Sequence, residues 1–97
     1  MDSTNKSDEF YEKLKAQLYD TALWPAEYLY KFIVISKGTG IKSIEDLFND
    51  LGAVINTKES KNGKYTSVSI NVRMKNPEAV INKYKEVTEN VEGVISL

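Results

Sequence analysis

The segment of residues 61–70, KNGKYTSVSI, combines a turn signal with strict alternation of two kinds of residue. Asn62-Gly63 is a dipeptide favoured in the turns of β-hairpins. Successive side chains of a strand point to opposite faces, so this strand would carry hydroxyls on one face and mostly aliphatic groups on the other. We therefore predict a strand whose sheet is covered on one face only. The two sets are Tyr65, Ser67 and Ser69 on one side, and Thr66, Val68 and Ile70 on the other.

Hydrophobic patterning predicts the other elements of a single domain. Residues 27–36 are rich in aromatic and β-branched side chains and apolar on both faces apart from Lys31, which predicts a central strand. Residues 53–60 and 64–74 predict the two strands of the hairpin. Asn76-Pro77-Glu78 supplies a cap, a proline and an acidic first turn to a later helix. Spaced apolar residues predict an earlier helix ending at Gly52, from Ile41, Ile44, Leu47, Phe48 and Leu51, and a closing strand, from Val91, Val94, Ile95 and Leu97.

The first 23 residues predict a tail and a helix that precede this domain. Residues 1–7 are polar and are expected to fray, and Ser7-Asp8-Glu9 is a candidate cap with an acidic first turn. The helix should end near Thr21, because Trp24 precedes a proline and that position disfavours helical backbone. We expect the large Trp24 ring to anchor this helix to the domain. The predicted boundaries are 1–23 for the tail and helix and 24–97 for the domain.

The order of elements after the first helix, β-α-β-β-α-β, predicts an α+β, ferredoxin-like sandwich. Right-handed crossovers would place the third strand between the first and the second, and the fourth beside the first. This arrangement is a four-stranded antiparallel sheet of order 4-1-3-2 with two helices on one face. In the third strand, Val68, Ile70 and Val72 would then face the helices. The uncovered face would carry Tyr65, Ser67, Ser69, Asn71 and Arg73.

Two missing residue types restrict the chemistry available to this chain. It contains no histidine, the commonest general base. It also contains no cysteine, whose thiolate is a common nucleophile and metal ligand. Its thirteen basic and fourteen acidic residues are interspersed and give a net charge of -1. We therefore expect a protein that is not an enzyme, that needs no cofactor or metal, and that has no nucleic-acid partner.

The sequence does not predict a segment for membrane insertion or export. The longest apolar run, residues 32–35, is far shorter than the roughly 20 residues of a membrane helix. The first segment, MDSTNKSDEF, lacks a basic start followed by an apolar stretch. We therefore expect a cytoplasmic protein without a membrane partner.

Two regions are candidate ligand sites. The first is the uncovered face, where polar side chains suit an anion or a small polar molecule; the alternatives are a face in contact with water, or one covered by the N-terminal helix or a second subunit. The second is SKGTGIKS, whose backbone N–H groups precede a helix and could bind an anion; the alternative is a mobile connector, because the spacing is not that of a P-loop. The candidate residues are Lys31, Tyr65, Ser67, Ser69, Asn71 and Arg73 on the face, and Gly38 and Gly40 in the loop.

Two activities known for this topology fit the residues less well. RNA-binding domains stack bases on aromatic side chains of the first and third strands, but Ser67 and Ser69 stand where those rings would be expected. Acylphosphatases hold phosphate with an arginine in the loop after the first strand. The single arginine of this chain, Arg73, lies in the predicted third strand instead.

Several segments together resemble the YbeD-like family of small bacterial proteins of unassigned activity. They are Trp24-Pro25 followed by YLYKFIV, then Ser60 and Gly63 with YTSVSI, then Tyr84, and a terminal aliphatic strand at Leu97. The likeness covers residues 24–97. It implies a ferredoxin-like fold similar to the ACT-type regulatory domains that sense amino acids or other metabolites, and it implies no established catalytic residues.

These observations favour a non-enzymatic regulatory or protein-interaction module that resembles small ACT-like domains. The alternative is a sensor of a polar or anionic metabolite. An acylphosphatase-like enzyme and an RNA-binding protein are less favoured hypotheses. The partner would be a second copy, paired through a sheet edge or the uncovered face, or else another protein or a small metabolite.

Overall fold

The computed structural model describes residues 5–97 of the chain, and side chains from residue 8 onward. Within that range the chain forms helices and strands of an α+β domain, which confirms the predicted class. A short 3₁₀ turn, Asn49–Leu51, extends the second helix up to Gly52, whose φ of 69° is left-handed and ends it. The elements in chain order are α1 Asn5–Thr21, β1 Ala26–Ile35, α2 Gly40–Phe48, β2 Val54–Glu59, β3 Tyr65–Met74, α3 Pro77–Asn90 and β4 Ile95–Ser96.

The four strands form one antiparallel sheet in the order β2-β3-β1-β4. β3 lies between β1 and β2, and β4 pairs with the other side of β1; from the opposite edge, the same neighbours read 4-1-3-2. β1 and β3 pair along their full length, with Ala26 opposite Met74 and Ile35 opposite Tyr65. This long central pair fixes which side chains share each face, because directly opposite residues of antiparallel strands point to the same side.

The hydrophobic core fills one side of the sheet, beneath α2 and α3. Every second residue of β1 and β3 points into it, as strand geometry requires, and α3 contributes its buried stripe. Aromatic rings form the centre: the Tyr30 ring lies 5.1 Å from that of Phe48 and 4.8 Å from that of Tyr84. The main buried residues are Tyr30, Phe32, Val34, Ile44, Phe48, Val68, Ile70, Val72, Val80, Tyr84 and Val87.

Helix α1 packs on α3 and so belongs to the helix layer. The Tyr11 and Tyr84 rings are 6.2 Å apart, and Trp24 Nε1 donates a hydrogen bond of 3.1 Å to the Leu18 carbonyl in the last turn of α1. Tyr19 Oη donates to a Glu78 carboxylate oxygen in the first turn of α3, and this bond lowers the pKa of that carboxyl. The N-terminal helix therefore does not cover the other face of the sheet.

Three details of the predicted elements were wrong. Helix α1 begins at Asn5, so Ser7 is not its cap and residues 5–7 are not an irregular tail; the rest of the expected tail, residues 1–4, lies outside the described residues. The closing strand is only Ile95–Ser96. Val91 instead caps the end of α3, where it is buried in the core.

The hairpin at Asn62-Gly63 is confirmed, with a longer turn than a two-residue loop. Ser60 N–H donates to the Tyr65 carbonyl at 2.7 Å and closes a loop of residues 61–64. Asn62 stabilises this loop through its side chain, since its Oδ1 accepts from the Lys64 N–H at 3.0 Å. Gly63 takes the left-handed backbone, with φ of 76°.

Candidate functional site

The face of the sheet opposite the helices is uncovered throughout the described part of the chain, and we call it the open face. The register of the strands places side chains of β1, β3 and β2 in rows across this face. Lys31 lies opposite Ser69, Ile33 lies opposite Ser67, and Lys58 lies on the far side of Ser67. The open face consists of Glu27, Leu29, Lys31, Ile33 and Ile35 from β1, Tyr65, Ser67, Ser69, Asn71 and Arg73 from β3, Val54, Asn56 and Lys58 from β2, and Ile95 and Leu97 at the β4 edge.

One half of the open face is aliphatic, which the sequence did not predict. Ile95 lies opposite Ile33, and the Leu97 N–H donates to the Lys31 carbonyl, so the last residues of the chain extend the row beside β1. Apart from half-buried Ile33, each of these aliphatic side chains is more than half exposed. We call this set the apolar strip: Leu29, Ile33, Ile35, Ile95 and Leu97.

The predicted ligand residues of the open face do not converge on one point. Tyr65 and Arg73 stand at opposite ends of β3, about 26 Å apart at the usual rise of a strand. Arg73 lies opposite Glu27, whereas Lys31 lies opposite Ser69. The structure thus brings Lys31 together with Ser69, and Asn71 and Arg73 occupy a separate end.

A shallow depression of about 290 Å³ lies at the Tyr65 end of the open face. Ser67 Oγ lies 3.4 Å from the Lys58 carbonyl there, and Lys64 Nζ lies 5.6 Å from the centre of the Tyr65 ring. Two residues of its lining, Tyr65 and Ser67, were predicted from the sequence. The others were not, because their positions here depend on how β2 pairs with β3. The lining residues are Ile33, Lys58, Glu59, Ser60, Lys61, Tyr65 and Ser67.

The glycine loop lies in a different cleft, of about 410 Å³, between the start of α2 and the end of α3. Gly38 has φ of 103°, a backbone conformation that favours glycine. Gly40 has a packing reason of its own: an added Cβ would lie 3.1 Å from the Val34 Cβ. The loop and the open face are therefore two candidate sites, and the cleft also borders Asn90 and Glu92.

The described residues offer neither a metal cluster nor a membrane-spanning helix. Residues 5–97 contain no group of three or more aspartate, glutamate, histidine or cysteine side chains arranged to hold a metal ion. No helix among them is long and apolar enough to cross a membrane.

The fold and the open face define a small α+β domain that leaves one sheet surface exposed. The chain belongs to the family described as "Protein of unknown function (DUF493)", whose model matches residues 20–95. The match runs from the end of α1 into β4 and includes the whole β1-β3 pair. No curated protein and no solved structure matched the chain. The resemblance to YbeD-like proteins stays a prediction.

Proposed function

We propose that this protein is a non-enzymatic regulatory or interaction module of the cytoplasm, with a ferredoxin-like, ACT-type arrangement. The apolar strip on the open face is the observation that carries this proposal. Monomeric domains rarely expose contiguous apolar patches larger than a few hundred Å², and the largest such patch of a domain is often a functional one. Here Leu29 and Ile35 are more than half exposed although β1 buries Tyr30, Phe32 and Val34 on its other face, and Ile95 of β4 is more than half exposed beside them.

The energetics of the strip favour a macromolecular partner. Burying an exposed leucine or isoleucine side chain stabilises a complex by about 1.5–3 kcal/mol before the costs of association. Several such side chains lie side by side across β1 and β4. A protein surface covers a strip of this kind, whereas a small polar metabolite offers it few apolar contacts.

Site-specific photo-crosslinking in cells that produce the protein tests this proposal. A photoreactive amino acid at Leu29 should give defined adducts, and one at Lys42 on the exposed side of α2 should not. An adduct of twice the mass of the chain would identify a second copy as the partner. Absence of adducts at Leu29, or the same adducts at both positions, would contradict an interaction role for the open face.

A metabolite sensor is the second candidate, supported by the depression at Tyr65. Two lysines, Lys58 and Lys61, and Ser67 give its lining cationic and hydrogen-bonding groups for an anion, beside one carboxylate, that of Glu59. Thermal-shift screening of nucleotides, metabolites and inorganic phosphate should find a ligand that adds about 2.7 kcal/mol of stability at 100 times its dissociation constant. The shift should disappear in Lys58→Ala and persist in Lys42→Ala. A flat response across the panel would contradict the sensor.

A further inference from the structure

The apolar strip has two lysines toward its β3 side, Lys31 beside Ser69 and Lys58 beyond Ser67. From this arrangement we infer that the open face docks an amphipathic helix of another protein. The apolar side of that helix lies on the strip, and its flanking acidic residues face Lys31 and Lys58. This inference rests on the proposed interaction function and names the chemistry of the partner.

The dimensions of the strip match a single helix. From Leu29 to Ile35, β1 rises about 20 Å, which is the length of a helix of about 13 residues. A helix about 10 Å wide covers two neighbouring strands at their usual spacing of about 4.8 Å. The strip has this width, because Ile33 and Ile95 lie opposite each other on β1 and β4.

The charges of the open face define the flanks of the partner. Lys31 lies within the strip, between Leu29 and Ile33, and Lys58 lies in the same row as Ile33, across Ser67. In the strand pairing of the described residues, neither lysine lies opposite an aspartate or a glutamate, whereas Arg73 lies opposite Glu27. The open face is therefore cationic on a chain whose net charge is -1, and its complement carries acidic residues beside an apolar stripe.

The same features disfavour a second copy of this chain on the strip. Face-to-face packing would place the lysines of one copy against a surface of the same sign, which costs free energy. The strip covers roughly 200 Å² by strand spacing and rise, well below the roughly 800 Å² that each partner of a stable dimer buries. RNA is disfavoured because, among the described residues, Tyr65 is the single aromatic ring on the open face, and bases need rings to stack on.

The test uses two designed peptides and the full-length protein labelled with ¹⁵N. Both peptides are about 14 residues long and carry leucines at helical spacing; one has glutamates along the flanks of the leucine stripe, and the other has lysines there. Titration followed by two-dimensional NMR should show the acidic peptide binding about tenfold more tightly than the basic one, because two exposed ion pairs are replaced by two repulsions. The shifted amide signals should include Leu29, Ile33 and Ile95.

Charge reversal supplies the matched control. The double variant Lys31→Glu and Lys58→Glu should exchange the preference, so that the basic peptide binds more tightly. The double variant Lys13→Glu and Lys42→Glu changes the net charge equally, but its positions lie on exposed sides of α1 and α2. It should keep the preference for the acidic peptide.

Any of the following outcomes would overturn the inference. Equal or tighter binding of the basic peptide, no binding of either peptide, or signal changes confined to the helix layer would exclude an acidic helix on the strip. Concentration-dependent shifts of open-face signals without peptide would identify a second copy, and binding to vesicles of anionic lipid instead of the acidic peptide would identify a membrane. Crosslinks at Leu29 in cells would still support the interaction function in these cases, so the two failures are distinguishable.

Discussion

Replacing Phe48 by alanine is expected to destabilise the protein by about 3–5 kcal/mol, the usual range for removing a fully buried phenylalanine. Phe48 is completely buried at the end of α2. Its ring lies 5.1 Å from the Tyr30 ring of β1, and Lys83 Nζ of α3 lies 5.4 Å from its centre. One side chain therefore joins α2 to the sheet and to α3, and its loss leaves a cavity where three elements meet.

Urea denaturation followed by circular dichroism measures this effect. Domains of this size are stable by about 5–15 kcal/mol, so Phe48→Ala should lose a large share of the total. Phe10→Ala is the matched control, because the Phe10 side chain is 59% exposed on α1, and its cost should stay within about 0.5 kcal/mol. Equal midpoints for the two variants would show that α2 does not depend on Phe48 for its packing.

Local patterns were sufficient to predict most of the helices and strands. The alternation of Thr66, Val68 and Ile70 matches the buried face of β3, because strand geometry alone sets a period of two. The apolar stripe of α2 similarly buries Ile44 and Phe48. Asn76 begins α3 as predicted, since its side chain accepts a hydrogen bond from the Ala79 N–H at 2.8 Å. Each of these signals lies within one element and its immediate neighbours.

The composition of the open face could not be predicted in the same way. β1 is apolar almost without interruption, so periodicity does not show that Leu29 and Ile35 point away from the core while Tyr30 and Phe32 point into it. The sequence therefore predicted a polar surface from β3 and from Lys31 of β1. The apolar strip appears only when β1 and β4 are paired, with Ile33 opposite Ile95.

The set of predicted ligand residues was inaccurate for the same reason, because the sequence does not show the register in which the strands pair. Lys31 and Arg73 appeared to belong to one site because both are polar residues of neighbouring strands. The pairing places Arg73 opposite Glu27, four residues along β1 from Lys31, and Lys58 of β2 in the row of Ser67. Contacts between residues far apart in the chain depend on which strands pair and at what offset.

Two tyrosines of the core predict a steep loss of stability at alkaline pH. Tyr30 Oη donates to the Val80 carbonyl at 2.9 Å, and Tyr84 Oη lies 2.8 Å from Tyr28 Oη. Burial raises the pKa of both Tyr30 and Tyr84 well above the ordinary value for tyrosine, with the neighbouring phenols as a smaller cause. Neither phenol can ionise in the core without losing its solvation by water.

The sign of the effect follows from proton linkage. Below about pH 10, both the folded and the unfolded chain hold these two protons, so the stabilising contribution is complete. Above that pH the unfolded chain loses them while the folded chain keeps them, and the free energy of unfolding should fall by about 1.4 kcal/mol per pH unit for each tyrosine. Urea denaturation at a series of pH values should therefore show a slope of about 2.7 kcal/mol per pH unit from the pair.

Single and double replacements show how much of this pH dependence of the free energy of unfolding comes from Tyr30 and how much from Tyr84. Tyr30→Phe and Tyr84→Phe keep the rings, and each should remove about half of the slope, although each also loses one hydrogen bond worth about 1 kcal/mol at neutral pH. The double variant should be less stable at neutral pH and should lose most of the slope in the alkaline range. If the double variant keeps the slope of the unmodified protein, the alkaline transition arises from groups outside the aromatic core.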